Sequence, residues 1–429
     1  MNRLRLGRAS EILMALVLVF LIAEVSSGYS VLTHEAIIDS TWKSDIKPLL
    51  LQRFPAASAD QLREAHAHAY GGAIIQDMGY YPFGSRFFSD LAHYVRSGEF
   101  VEALIRDSQD LNEYAFALGA LSHYCADSDG HPIATNLSVP ILYPELRRKY
   151  GNIVTYDENP AAHIQTEFGF DVIQVAHGNY ASESFHDFIG FKVSEPLLER
   201  AFKETYGIEL KSIFTNLDLA LGTYRYSVSQ IIPMMTKVAW ETKKGDIEKQ
   251  TPGITRDKFL YNLSRSGYHK QWGSQYQKPG FFARVFAFVF HVVPKVGPFR
   301  AFAIKPSTPE TEKLFMKSFN ATVDNYRQLL SQLRAGSIDL PDKDFDTGNP
   351  TRAGEYRLAD KAHAQLLDKL ASHHFENVTP GLRQDLLAFY GDTNAHVTIR
   401  KDGSEWKKTL RELAALRTAA PQPEHTGRR

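Results

Sequence analysis

The sequence predicts a mainly α-helical protein, and three observations carry that reading. Apolar residues recur at three- and four-residue spacing through 104–121, 210–238, 311–333 and 358–370, the period of one helix face. Alternating strand patterns are scarce. Hydrophobic side chains make up 43% of the 429 residues, enough to bury a large core.

The chain opens with Arg3, Arg5 and Arg8, then an apolar run over 12–23, then Ser26, Ser27 and Gly28. A basic start, a short apolar stretch and small residues are the pattern of a secretory signal peptide, so residues 1–28 are expected to direct export and to be cleaved near Gly28. A membrane anchor would need about 20 apolar residues, and Glu24 interrupts this run. Cleavage there leaves Tyr29 as the free N-terminus of a periplasmic or secreted protein. Cys125 is the single cysteine, so no intramolecular disulfide can form and the core or bound metals must hold the fold. Without Arg3, Arg5, Arg8, Glu11 and Glu24, the 49 basic and 49 acidic residues leave a net charge of −1. Broad electrostatic attraction to nucleic acid is therefore not expected.

Loops are marked at 81–84, at Val139-Pro140, at 156–160 and at the Asp-, Gly- and Pro-rich stretch 342–351. Val397 and Ile399 alternate with polar residues before Asp402-Gly403, a turn signal for one small hairpin over 395–401. A boundary is placed at residue 245, giving a catalytic unit over 29–245, a further helical region over 246–418 and a disordered tail over 419–429. Between 280 and 302 lies a Phe-rich stretch that includes Phe281, Phe282, Phe286, Phe288 and Phe290, with Arg284, Lys295 and Arg300 around them. It is too short to span a bilayer and fits either an interfacial membrane contact or a buried core segment.

The chemistry concentrates in the run from His123 to His131. His123, Asp127 and His131 follow at four-residue steps, which on one helix places them within an arc of roughly 80°. Two imidazoles and a carboxylate on one face suit zinc, which takes nitrogen and oxygen ligands at about 2 Å. Cys125 falls about 200° away from His123 on the helix and reads as a buried structural thiol. His34, Asp77 and His93 add further donors, and His163 and Glu167 form a second i, i+4 pair. Taken singly, a histidine such as His93 is more often a core residue satisfied by a hydrogen bond than a ligand. His66, His68, His177, His186 and the pair His373-His374 are read as structural or surface residues.

Tyr29-Ser-Val-Leu-Thr-His34, Asp77, His93, the His123–His131 run and His163-Ile-Gln-Thr-Glu167 resemble, in order and spacing, the zinc-dependent phospholipase C and single-strand nuclease superfamily. The Thr33-His34 start looks most like the phospholipase C branch. The resemblance covers roughly 29–245 and implies an all-helical domain with a trinuclear zinc site. It implies one zinc held by Asp77, His93, His123 and Asp127, with Asp127 bridging to a second held by His34 and the amine and carbonyl of Tyr29. A third ion would be held by His131, His163 and Glu167, with positions open for water. Most relatives begin with Trp where Tyr29 stands, which touches packing more than coordination because only main-chain atoms would bind.

Such a site suits phosphodiester hydrolysis. Zinc lowers the pKa of bound water to about 7 and acts as a Lewis acid, and paired ions can clamp attacking and leaving oxygens. The expected activity is secreted and phospholipase C-like: water activated by zinc attacks phosphorus, Asp77 orients or deprotonates it, and diacylglycerol and a phosphorylated headgroup result. Asp77 is thus the expected catalytic residue, and a phospholipid or membrane surface the expected partner. Two alternatives remain: a single-strand nuclease of the same superfamily, with Tyr80, Tyr81 and Phe83 as stacking surfaces, and a non-catalytic zinc-stabilised protein that binds a lipid or another surface.

Overall fold

A computed structural model describes residues 30–177, 191–227, 305–336, 338–392, 395, 397–398 and 403–419. The expected signal peptide, Tyr29, His186, the Phe-rich stretch 280–302, residues 246–304 of the expected further helical region, all but the first residue of the expected tail and most of the expected hairpin lie outside them, as does the side chain of His177. Among the described residues the fold is all-α: there is no strand, only an isolated bridge between Lys343 and Pro350. No described helix is long and apolar enough to cross a membrane.

Fifteen α-helices follow in order among these residues. The first eight are α1 (Val31–Thr41), α2 (Lys47–Arg53), α3 (Ala59–Gly72), α4 (Arg86–Tyr94), α5 (Ser97–Asp107), α6 (Leu111–Gly130), α7 (Asn136–Leu142) and α8 (Pro144–Tyr150). Next come α9 (Pro160–His177), α10 (Glu195–Tyr206), α11 (Leu217–Tyr226), α12 (Pro309–Arg334), α13 (Arg357–Ser372), α14 (Pro380–Phe389) and α15 (Gly403–Thr418). Side-chain caps set several starts. The Ser58 hydroxyl accepts from Gln61 N, whose side chain accepts from Ser58 N in return, and Thr308 and Thr311 do the same at α12. Asp110 accepts from the amides of Asn112 and Glu113 at the start of α6.

Helix α6 is the axis of the fold and is apolar or small on almost every side, with Ala115, Phe116, Ala117, Leu118 and Ala120 all fully buried. Gly72 and Gly119 let α3 and α6 touch backbone to backbone. A Cβ at Gly72 would lie 1.9 Å from Phe116 O, and one at Gly119 would lie 2.1 Å from Ala69 O, so neither position tolerates a side chain without the helices separating. Against another side of α6 lies α12, whose Tyr326 hydroxyl donates to Leu118 O at 2.9 Å. One continuous hydrophobic core runs from Val31 to Leu416, so the described helices on both sides of residue 245 share it.

Two local expectations are corrected. The His123–His131 run does not stay on one α-helix: α6 ends at Gly130 and the chain continues as a π-helical turn over His131–Thr135. Pro132 has no N–H to give the carbonyl four residues back, and the turn widens around that missing bond. Val139-Pro140 is no loop either, since Pro140 lies inside α7. The Asn136 carbonyl that Pro140 leaves without a helical donor accepts from Val154 N at 3.0 Å instead.

The histidines set aside as structural behave so where they are described. His66 stacks on Trp42 with centroids 3.8 Å apart, and His373 and His374 are exposed. Cys125 is buried, and burial pushes its thiol far above the ordinary range. His363 of α13 is a further buried histidine, stacked on Phe389 at 3.5 Å with Nδ1 against Ala359 O. Burial lowers its pKa to about 4, against an ordinary value near 6.5. The folded state therefore resists protonation that the unfolded state accepts. Its contribution is intact above pH 6.5 and is lost as pH falls from there through 4, about 3 kcal/mol in all. Thermal midpoints at pH 7 and pH 4.5 should accordingly differ less in His363→Leu than in wild type.

Candidate metal centre

Three elements, α6 among them, bring four donors together at the C-terminal half of α6. Asp77 sits in a 3₁₀ turn, Ile75–Tyr80, held to the core by Gln76 Nε2 donating to Ala120 O and by Gly79 N donating to Ser89 Oγ, both at 3.0 Å. His93 comes from the last turn of α4, and His123 and Asp127 come from α6. Asp77, His93, His123 and Asp127 are all buried, and one donor atom from each lies within 4.8 Å of the others. His131, His163 and Glu167 form a second buried group by the same measure.

Backbone acceptors orient the first pair of rings. His93 Nδ1 lies 2.8 Å from Ser89 O and His123 Nδ1 lies 3.0 Å from Ala73 O. A carbonyl can only accept, so in the neutral rings Nδ1 carries the proton and Nε2 presents a lone pair. Those Nε2 atoms face Asp127 Oδ2, at 3.4 Å from His93 and 3.2 Å from His123, while His93 Nε2 is also 3.3 Å from Asp77 Oδ1. His34, from α1, stacks on His123 with centroids 4.6 Å apart and places Nε2 3.6 Å from Asp127 Oδ1. Asp127 therefore stands between His34 on one side and His93 and His123 on the other. Tyr29 lies outside the described residues.

The second group is oriented the opposite way. Asn136 Nδ2 donates to Asp346 O at 2.7 Å, which turns Asn136 Oδ1 toward His163 Nε2 at 2.9 Å. Val154 O is a second acceptor for the same nitrogen at 3.2 Å. The His163 proton is thus on Nε2, and Nδ1 faces Glu167 Oε1 at 3.1 Å. His131 stacks on His163 and places Nδ1 4.0 Å from the same oxygen.

Charge and burial are in tension throughout. Burial would raise Asp127, but His123, His131 and His93 around it hold its carboxyl well below the ordinary range. Burial pushes Glu167 well above its ordinary value, and the carboxylates of Asp127, Asp77, Asp346 and Asp171 push it further. Burial together with neighbouring His123 lowers His34 to about 4, and burial together with His131 holds His163 well below the ordinary range. Both rings are therefore neutral at pH 7, the form that binds metal.

These residues fit zinc. His123 Nε2, both Asp127 oxygens and His131 Nδ1 are buried without a hydrogen-bond partner among the described residues. Buried polar atoms of that kind are costly, and cations between them would satisfy lone pairs that otherwise face one another. Imidazole nitrogen and carboxylate oxygen are the zinc donor set.

Four contributors were not picked out from the sequence. Asp171 stands one helical turn beyond Glu167 on α9 and grips the start of α1, accepting from Leu32 N at 3.0 Å and Thr33 Oγ1 at 2.7 Å. Burial raises it to about 6, opposed by hydrogen bonds from Ser30 and Thr33 among others. Its spacing from Glu167 was the available signal. Asn136 sets the His163 ring, as described above. Phe345 packs edge-on to His93, with centroids 5.2 Å apart, and its amide donates to His93 O. Asp346 places Oδ1 3.5 Å from His131 Nε2. Both come from the loop that the sequence marked only as a connection.

Residues 33–216 match the family model described as zinc dependent phospholipase C. No curated protein and no solved structure matches the chain. The matched span holds His34, Asp77, His93, His123, Asp127, His131, His163 and Glu167, and the all-α fold around two buried donor groups agrees with it. The match over residues 33–216 supports the zinc-dependent phospholipase C and nuclease superfamily and a function of the zinc phosphodiesterase type.

Proposed function

We propose that the protein is an exported phospholipase C that cleaves a phospholipid to diacylglycerol and a phosphorylated headgroup. The observation that carries this reading is the convergence of two buried groups of nitrogen and oxygen donors within the matched span, one of them offering only three side chains. Structural zinc sites are usually closed by four protein ligands, whereas three leave a coordination position for water or substrate. Zinc, when bound, supplies Lewis acidity toward the phosphoryl oxygens and makes coordinated water acidic near neutral pH.

The chain's own side chains supply the rest. Asp77, fully buried and beside His93, is the carboxylate that orients the attacking water and accepts its proton. Backbone carbonyls fix the His93 and His123 rings, so these ligands need no reorganisation on binding. Glu167 and His163, with His131, would hold the ion that stabilises the leaving oxygen. Residues 1–28 act as a cleaved export signal, which frees the Tyr29 amine as a further donor for the ion shared by His34 and Asp127. Phe281, Phe282, Phe286, Phe288 and Phe290 belong to the same reading as a contact with the lipid surface.

One zinc-loaded preparation assayed on phosphatidylcholine, phosphatidylinositol and single-stranded DNA tests the substrate. Diacylglycerol release from either lipid with no DNA cleavage is the expected result, and nucleotide release alone would replace the lipase reading with a nuclease. Intact mass of the exported chain should give Tyr29 as its first residue, with three zinc ions bound under native conditions.

A further inference from the structure

We propose that Asp346, which lies outside the family-matched span, is a positioning residue of the metal centre whose carboxylate holds the Nε2 side of His131 and so turns Nδ1 toward Glu167. The inference rests on the proposed zinc binding by His131, His163 and Glu167. A metal-binding histidine usually gives its other ring N–H to a carboxylate or carbonyl, which fixes both tautomer and ring direction. His93, His123 and His163 have such partners in Ser89 O, Ala73 O and Asn136 Oδ1. For His131, Asp346 Oδ1 lies 3.5 Å from Nε2. Asp127 Oδ2 is farther, at 3.8 Å, and is shared with His93 and His123.

Asp346 is itself held from three directions. Its Oδ2 accepts from the Tyr94 hydroxyl at 2.8 Å and from the Tyr356 hydroxyl. Its main-chain oxygen accepts from Asn136, the residue that sets the His163 tautomer, so one peptide unit governs both rings of the second group. The loop carrying it is pinned to the core. Tyr124 donates to Pro341 O at 2.7 Å, and Gly98 N donates to Asp342 Oδ1 at 2.9 Å. At Gly348 the backbone φ of +71° brings the loop against α6, where a Cβ would stand 2.5 Å from Ser128 O. A loop built only to connect α12 to α13 needs neither a buried carboxylate nor this docking.

The test uses the full mature chain and two readouts other than turnover. In the zinc-loaded wild type, long-range 1H–15N spectra of labelled histidine should show His131 and His163 protonated on Nε2, and His93 and His123 protonated on Nδ1. A His131 proton on Nδ1 overturns the proposal, and this reading needs no variant to fold. In Asp346→Asn, chelator competition should show one zinc bound about 10- to 100-fold more weakly, with the thermal midpoint of the metal-free chain unchanged. Wild-type affinity for every ion in that variant also overturns it, leaving Asp346 as an acceptor for the two tyrosines alone. A wild-type chain that binds no zinc at these side chains fails at the underlying reading instead, a separate outcome.

Discussion

Asp127→Ala is expected to cost the protein at least one zinc ion and to lower phosphodiester hydrolysis by on the order of 10³-fold or more. Asp127 is fully buried, and its two oxygens face His34, His93, His123 and His131. No other carboxylate lies within 4 Å of so many imidazoles among the described residues, so no neighbour can replace it. Several kcal/mol of transition-state stabilisation leaves with a catalytic ion, and each 1.4 kcal/mol is about tenfold in rate. Metal counting on the purified variant is the check. His123→Ala should behave alike, because it removes the ring that stacks on His34 and meets Asp127 Oδ2. Full zinc content in either variant would refute the ligand assignment, even if activity fell.

Residues 29–245 expressed alone are expected not to form a stable folded protein. The cut removes Phe315, Tyr326, Leu330 and Phe345, all at most 2% exposed, from the core they share with the matched span. Burial of such side chains is worth roughly 1.5–3 kcal/mol each, so four of them approach the whole 5–15 kcal/mol by which a domain is stable. The bond from Tyr326 to Leu118 O and the cover of Phe345 over His93 and His123 go with them. Circular dichroism and urea titration of the truncated chain provide the measurement. A cooperative transition with wild-type zinc binding would establish 29–245 as an autonomous unit and would also remove the role given to Asp346.

The sequence by itself determined the helical class and the residue types of the candidate site. The i, i+4 pairs placed His123 with Asp127 and His163 with Glu167, because a helix returns to the same face within one turn and local spacing encodes that directly. The lack of a second cysteine was equally local. Tertiary structure decided what those faces meet. The π-turn at Pro132, which follows directly on the end of α6, and the Val154 amide that lets Pro140 remain inside α7 both depend on where backbone hydrogen bonds find partners. Asp346 reaches His131 only when a loop far along the chain docks on α6 through Gly348, Tyr94 and Asn136. Periodicity carries no information about such a contact, since it is fixed by chain closure and packing rather than by spacing along one helix.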